Sequence, residues 1–431
     1  MKILLVGTGA REHAIATSLL KDDVELYTVM SNRNPALAKL SKEFLLSKET
    51  EAEKIRDFAI KKGVEAAVVG PEAPLAAGVA DALESAGVGV AGPKKALARI
   101  EWDKGFCRYL MKKYKISGSP DFGVFEDEKE ANEYIDSAGG IVVKPLGLTG
   151  GKGVKVLGEQ LESKEDAKKY AAETIKKDGK VLIEEKLEGE ECTIQAFTDG
   201  KRLIAMPLVQ DHKRAYENDE GPNTGGMGSY SDANHLLPFM NRSDYNKCIK
   251  IMKKTLHAMK KETGEFYKGI LYGGVMLTRD GPFMLEYNSR FGDPEAMNVL
   301  PLLETSFVDV ADGIISQKLR RADFSRKATV CKYTVPKGYP TNPVVGAKLT
   351  IEKVEDAMLF YASVNEVEGE IRTTSSRSIA VLGIGDTLEE AEVKAEKALR
   401  SIKGEIHARH DIGTKPLIQK RIEHMTKLRA K

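Results

Sequence analysis

Ile141-Val142-Val143-Lys144-Pro145-Leu146-Gly147-Leu148-Thr149-Gly150-Gly151-Lys152-Gly153 runs from an apolar strand into a glycine-rich cationic turn, after which Val154 and Val156 resume a strand-like alternation. Two strands flanking such a loop make a lid whose backbone N–H groups can face phosphates while Lys144 and Lys152 neutralise charge. A P-loop is excluded, because Gly153 follows the lysine where Ser or Thr is required and a strand comes next instead of a helix. An ordinary glycine-rich hairpin with solvated lysines is the competing reading, and Lys144 inside an apolar strand weighs against it.

Two further stretches belong with the lid. Val181-Leu182-Ile183-Glu184-Glu185-Lys186-Leu187 is an apolar strand ending in a polar hinge that can offer main-chain groups to an adenine edge, and Glu191 lies four residues beyond Leu187. Phe283-Met284-Leu285-Glu286-Tyr287-Asn288-Ser289-Arg290 is strand-like, with Glu286, Asn288 and Arg290 at period two and expected on one face. One Glu with one Asn beside a fixed cation suits magnesium shared with ATP phosphates, since that ion needs only one or two protein oxygens. Phe291-Gly292-Asp293-Pro294-Glu295 then adds turn chemistry and more carboxylates; an exposed edge strand is the bland alternative.

Upstream, residues 1 to 103 alternate short apolar strands (Ile3 to Val6, Glu25 to Val29, Phe44 to Leu46, Ala66 to Val69, Val88 to Ala91) with helical segments such as Ala52 to Lys62. That rhythm predicts a parallel sheet covered by helices, with ligands beyond the carboxyl ends of the strands, at Gly7 to His13 and Gly70 to Leu75. Gly7-Thr8-Gly9-Ala10-Arg11-Glu12 invites a dinucleotide fingerprint, but Glu12 stands at the third glycine position and Met30-Ser31-Asn32 lacks the ribose-gripping carboxylate. A tight strand-to-helix turn explains the glycines as well as a binding role does. Residues 104 to 325 mix hairpins with helices, including an Asp199-Gly200 turn, and the lid occupies about 120 to 190. Residues 326 to 431 read as a small closing α+β domain.

At 431 residues the chain exceeds one ordinary core, and 42% hydrophobic with 30% charged residues describes a folded chain. With 66 Lys and Arg against 64 Asp and Glu, and no long block of one sign, no nucleic-acid footprint is expected. Cys107, Cys192, Cys248 and Cys331 are widely spaced and read as reduced packing residues. No apolar run is long enough for a signal peptide or a membrane span, so no membrane association and a cytoplasmic location are expected.

Taken with Gly70-Pro71-Glu72-Ala73-Pro74-Leu75, Gln210-Asp211-His212-Lys213-Arg214, Gly221-Pro222-Asn223-Thr224-Gly225-Gly226-Met227-Gly228 and Arg409-His410-Asp411-Ile412-Gly413, these motifs resemble the phosphoribosylamine–glycine ligase family of the ATP-grasp superfamily over essentially the whole chain. Ala10 and the Pro145 to Thr149 string depart from the family's usual residues without removing a charge. The resemblance implies an ATP-grasp fold and a reaction in which ATP, glycine and 5-phosphoribosylamine give glycinamide ribonucleotide, ADP and phosphate through glycyl phosphate. It implies ATP phosphate contacts from Lys104, Lys144 and Lys152, adenine contacts around Glu184, Glu185 and Leu187, and ribose contact from Glu191. It further implies Mg2+ or Mn2+ on Glu286 and Asn288, and catalytic roles for Arg290, Lys152 and Asp293. Gly9, Arg11, Glu12 and Glu72 would meet the aminosugar phosphate, and Asp211, Lys213, Asn223, Thr224, Gly225, Gly226 and Met227 the glycine and sugar side. A monomer is expected on the same ground, and no histidine is expected to act as a general base.

Overall fold

The computed structural model describes residues 1–147 and 153–430, so the loop containing Leu148, Thr149 and Lys152 lies outside the described residues. The first hundred residues build a five-stranded sheet in the order Glu43–Leu46, Glu25–Met30, Lys2–Val6, Ala66–Val69, Gly89–Val90, parallel throughout. The inner strands Glu25–Met30, Lys2–Val6 and Ala66–Val69 are buried on both faces because helices cover both sides, which is why they read as near-continuous apolar runs, while the edge strand Glu43–Leu46 stays largely exposed. The strand order reverses between Lys2–Val6 and Ala66–Val69. A crevice therefore opens beyond their carboxyl ends, between the turn at Gly7 to Gly9 and the turn at Gly70 to Glu72.

The lid is a separate four-stranded antiparallel sheet, ordered Phe122–Phe125, Val181–Glu185, Ile141–Pro145, Lys155–Val156. Helices Glu128–Ser137 and Lys164–Asp178 pack on it through Ala131, Ile135, Ala167 and Ala171. Both helices start on side-chain caps, Asp127 and Ser163, which satisfy N–H groups that the first turn leaves open.

A second four-stranded sheet, Leu203–Ala205, Glu190–Thr198, Gly269–Thr278, Gly281–Asn288, carries the Asp199-Gly200 hairpin turn, with Gly200 at φ +85°. Gly281–Asn288 is the edge that faces the lid hinge. The third sheet is not confined to the closing segment. Gln210–Asp211 and Gly228–Ser231 join Ala328–Pro336, Ile379–Gly385 and Ala357–Tyr361, and Ile406–Ala408 pairs with Ala328–Pro336. One apolar core accordingly runs from Ile194, Val275 and Met284 to Val330, Val381 and Ala395. Each buried Ile, Val or Met in it stabilises the fold by roughly 2 kcal/mol. All four cysteines are buried and unpaired.

Helix Leu388–Leu399 seals the outer face of that sheet. Lys332, fully buried, donates to Glu392 at 2.6 Å, Glu396 at 2.9 Å and the His410 carbonyl at 2.8 Å, tying helix, strand and terminal loop together. The approach is close: a Cβ on Gly383 would collide with the Ala391 carbonyl oxygen in the helix backbone. Gly383→Ala is therefore expected to cost about 2 kcal/mol by overpacking, read as a lower urea midpoint with an unchanged m-value; an unaltered midpoint would mean that the helix has room to retreat.

Candidate active site

Gly281–Asn288 does not run as an unbroken strand. Gly274 faces Glu286 while Val275 faces Met284, which leaves Leu285 as a bulge. The extra residue brings Met284 and Tyr287 to the same buried side and leaves Glu286 and Asn288 on the partly open one. The bulge also releases main-chain carbonyls from the ladder, and Arg108 takes them up: Nη1 donates to Met284 O at 2.9 Å and Nη2 to Leu285 O at 2.7 Å.

The remaining side of Arg108 reaches the lid. Its Nε donates to Glu184 at 2.5 Å, and Lys144 donates to the other oxygen of the same carboxylate at 2.6 Å. All three side chains are almost completely buried. Burial pushes the Glu184 carboxyl up, but the two cations overcome it and bring it down to about 2. Glu184 thus serves as the internal partner of Lys144 and Arg108.

Around this core the cleft is lined with charge. Lys104 donates to Gly147 O at 2.7 Å; burial holds its ammonium below the usual lysine range, while Glu286 opposes that shift and Lys144 reinforces it. Lys213 donates to Glu191 at 2.6 Å, and burial is outweighed there by Glu191, Glu286 and Asp211, which raise its pKa. Lys104 and Lys213 both feel Glu286, and Glu191 feels Lys144 as well as Lys213. These groups therefore share one cleft. At its hinge Glu185 is pinned to Asp121 through both main chain and carboxylate, at 2.9 Å each, and among the described residues the Leu187 N–H meets no protein acceptor.

The strand ends at Asn288, and the chain bends at Ser289 and Arg290. Beyond that bend Arg290 is held by two carboxylates: Nε donates to Glu72 at 3.2 Å and Nη2 pairs with Glu101 at 2.9 Å. Glu101 also accepts from Ser289 N and Oγ, each at 2.7 Å. With its amide oriented to satisfy its neighbours, Asn288 donates to Glu101 at 3.1 Å, so its oxygen turns away from that carboxylate. Burial and Glu72 raise the Glu101 pKa against the pull of Arg290. Among the described residues no three His, Cys, Asp or Glu side chains cluster as a metal cage. A Glu–Asn pair fits a hard divalent ion whose other ligands are phosphate oxygens and water.

Across the crevice, Glu12 accepts from Gly9 N at 2.6 Å and Arg11 Nε at 2.5 Å, and its side chain fills the space against Gly7 and Gly70. A Cβ at either glycine would strike it. Arg11 continues to Phe291 O at 3.3 Å and lies in the field of Arg290, Glu72 and Asp293. Asp293 accepts from Tyr333 Oη at 2.6 Å and pairs with Arg377 at 3.1 Å. Arg377 also donates to the carbonyls of Gly225 at 2.8 Å and Gly226 at 3.1 Å. Thr224 Oγ1 holds the same turn by donating to Lys213 O at 2.8 Å and accepting from Gly226 N at 3.0 Å, Met227 N bonds to His212 O, and Asn223 pairs with Arg214. Gly226 has φ +109° and lies against Asp211, where a side chain would collide. Asp211 Oδ1 is buried without a partner among the described residues, and burial together with Glu295 pushes its pKa well up.

Three phosphoribosylglycinamide synthetase models match in succession: the N domain over residues 1–101, the ATP-grasp (A) domain over 102–296 and the C domain over 329–415. The chain belongs to the phosphoribosylglycinamide synthetase family. A phosphoribosylamine–glycine ligase of Methanosarcina barkeri is 55% identical over 433 residues, spanning 100% of both chains. The crystal structure of a phosphoribosylamine–glycine ligase from Thermotoga maritima is similar with a TM-score of 0.81 and 31% identity, covering 95% of this chain and 100% of that one. A 2-oxoglutarate carboxylase biotin carboxylase domain from Hydrogenobacter thermophilus, solved with MgADP, shares the fold at a TM-score of 0.74 and 16% identity, over 99% of this chain and 93% of that one.

For this family member the expected residues fall into two neighbouring groups. Lys104, Lys144, Glu184, Glu185, Leu187, Glu191, Lys213 and Glu286 line the lid side, and Gly9, Arg11, Glu12, Glu72, Arg290 and Asp293 the crevice side. Glu101, Arg108 and Arg377 escaped the sequence expectations. A signal existed for Glu101, which falls four residues after Leu97 on the buried face of Lys95–Trp102, where an unpaired carboxylate is untenable. Arg377 left no local signal.

Glu184 carries a pH prediction. Its folded pKa of about 2 lies below the ordinary carboxyl value of 4.5, so its stabilisation is fully present above pH 4.5 and is lost as pH falls toward 2. Glu184→Gln leaves two buried cations without their anion and is expected to cost about 3–5 kcal/mol at neutral pH. Urea unfolding at pH 7 and pH 3 checks this; an equal deficit at both would remove Glu184 as the titrating group.

Proposed function

We propose that this cleft uses ATP to phosphorylate the carboxylate of glycine and passes the glycyl group to 5-phosphoribosylamine. The products are glycinamide ribonucleotide, ADP and phosphate, the second step of de novo purine synthesis. The full-length likeness to phosphoribosylamine–glycine ligases supports the substrates. The observation that carries the chemistry is geometric: Lys104 lies on Gly147 O at 2.7 Å and Lys144 on Glu184 at 2.6 Å, and Arg108 ties that carboxylate to the strand of Glu286.

A carboxylate does not acylate an amine until it gains a leaving group, and phosphoryl transfer to it needs alignment and charge neutralisation more than a covalent catalyst. Lys104, Lys144 and Lys152 neutralise the triphosphate, the Leu187 N–H and the Glu185 main chain take the adenine edge, and Glu191 takes the ribose. Glu286 and Asn288 hold Mg2+ or Mn2+, which when bound neutralises phosphate oxygens. Arg290, preset by Glu72 and Glu101, stabilises the transferring phosphoryl group, and Asp293 orders the turn beside it. Arg11, Glu12, Glu72 and the Gly9 turn receive the aminosugar phosphate. Asp211 and Glu295 receive the glycine ammonium, supported by the unpartnered Asp211 oxygen; Lys213 and the turn from Asn223 to Met227 close over that side. The chain is read as a cytoplasmic monomer divided at about residues 103 and 325.

Three measurements test this. ADP release should require ATP, glycine and freshly generated phosphoribosylamine together, and hydroxylamine should trap glycine hydroxamate when the aminosugar is left out; release that depends on another acid would make the chain a ligase or carboxylase of different specificity. Arg290→Ala should lower kcat about 100-fold, corresponding to about 3 kcal/mol of transition-state stabilisation, whereas normal turnover would deny Arg290 that role. Asp211→Asn should raise KM for glycine about tenfold with KM for ATP unchanged, as expected when one charged hydrogen bond is lost; a shift in the ATP value alone would move Asp211 to the nucleotide side.

A further inference from the structure

Helix Arg242–Thr263 turns Ile251, Met252, Leu256 and Met259 into the core and leaves a basic outer face. Its two acids are engaged near its ends, Asp244 with Lys247 and Arg429, and Glu262 with Lys113. Between them Lys250, Lys253, Lys254, Lys260 and Lys261 recur at helical spacing, so folding gathers on one side charges that form no block in the sequence. Among the described residues none of these five lysines forms an ion pair.

This face opens into a cavity of about 480 Å³ at the Asp199-Gly200 turn, where Lys253 and Lys260 meet Lys201 and Arg202. Leu203, Leu256 and Phe266 form its apolar wall. An adjoining hollow of about 660 Å³ shares Lys253 and His257 and adds Lys250, Lys254 and Lys261. Neither wall contains an Asp or Glu, although cations and acids nearly balance over the chain at 66 to 64. The cations are braced. The Lys201 and Lys260 ammonium groups lie 5.6 and 4.1 Å from the Phe266 ring centroid, and Arg202 Nη1 donates to Leu319 O at 2.7 Å.

Like charges at i,i+3 and i,i+4 destabilise a helix, and a cavity lined by one sign concentrates counter-ions. We propose that this groove is a second binding site for a small ligand carrying at least two adjacent phosphates. Lys201, Lys253 and Lys260 take the phosphates, and the wall of Leu203, Leu256 and Phe266 takes the carbon skeleton. None of the lining residues belongs to the cleft around Glu286, so the site stands apart from the ATP cleft and does not depend on the reaction assigned above.

The test uses the full chain without nucleotide, because ADP itself carries two adjacent phosphates and would compete for the groove, and Lys104 and Lys213 report the ATP cleft separately. Lysine acetylation read by mass spectrometry is followed in the presence of tripolyphosphate, of orthophosphate and of single-stranded oligonucleotides of graded length at matched ionic strength. Tripolyphosphate should slow modification of Lys201, Lys253 and Lys260 at least fivefold while Lys420 and Lys427 are unaffected. Calorimetry should show a submillimolar event that is weakened at least tenfold in Lys201→Gln/Lys253→Gln and unchanged in Lys420→Gln/Lys427→Gln. Two results would overturn the proposal: uniform or absent protection, or protection only by oligonucleotides with affinity rising with length, which would make the groove a nucleic-acid face.

Discussion

The contact on which the rest depends is the buried Glu184 carboxylate held by Arg108 and Lys144. Arg108 spends its other two donors on the carbonyls of Met284 and Leu285, so one guanidinium bridges the lid sheet to the strand that carries Glu286. The desolvation of three charges is several kcal/mol per ion before pairing returns it, so the cluster adds little net stability. Its contribution is geometric: with any partner shifted, two charges would stand unpaired in a dry interior, so the lid strand and the Glu286 strand are held to one relative register. Lys144 gains from the same arrangement, because its ammonium is fixed at the edge of the cleft with few rotamers left.

A second ionic joint sets the other wall. Arg11, Glu12, Glu72, Arg290 and Glu101 alternate in sign between the parallel sheet and the bend after Asn288. Their pKa values move apart accordingly: Glu72 is pulled down to about 2, by Arg290 and Arg11 against its own burial, while Glu101 rises. Arg290 is thereby oriented before any ligand arrives, which is the condition for a cation to favour developing charge over ground-state charge. The bulge at Leu285 makes this possible, since without the extra residue Glu286 would face the core occupied by Tyr287.

Much of the fold was legible because it is local. Helix Ala52–Lys62 and strand Ala66–Val69 agree with expectation to the residue, and the lid sheet falls between 122 and 185 as its flanking strands implied. What period-two counting cannot see is the inserted Leu285, which precedes Glu286, or the long-range partners of Arg290, which pairs with Glu72 and shares the Glu101 carboxylate with Asn288. The boundary expected at residue 326 is crossed by a sheet that local pattern cannot show, because pairing between Gly228–Ser231 and Ala328–Pro336 is set by packing across a hundred residues. Glu184, which the resemblance assigned to the nucleotide, is also the partner of Lys144 and Arg108, and that pairing was not legible because Arg108 lies 76 residues away in sequence.

Long-range contacts also explain why the closing segment belongs to the site. Arg377, a residue with no pattern around it, holds the carbonyls of Gly225, Gly226 and Asp293 from the far side of the third sheet and stacks over Tyr333 at 4.6 Å. Those carbonyls belong to the turn beside Asp211 and to the turn after Arg290, so one side chain sets the distance between the two walls. Burial would depress the guanidinium, yet Asp293 raises its pKa, which keeps it charged at every physiological pH. The third sheet is therefore the frame that fixes the glycine turn against the carboxylates it faces, and separating it from the first three hundred residues would remove a wall of the cleft along with its cover.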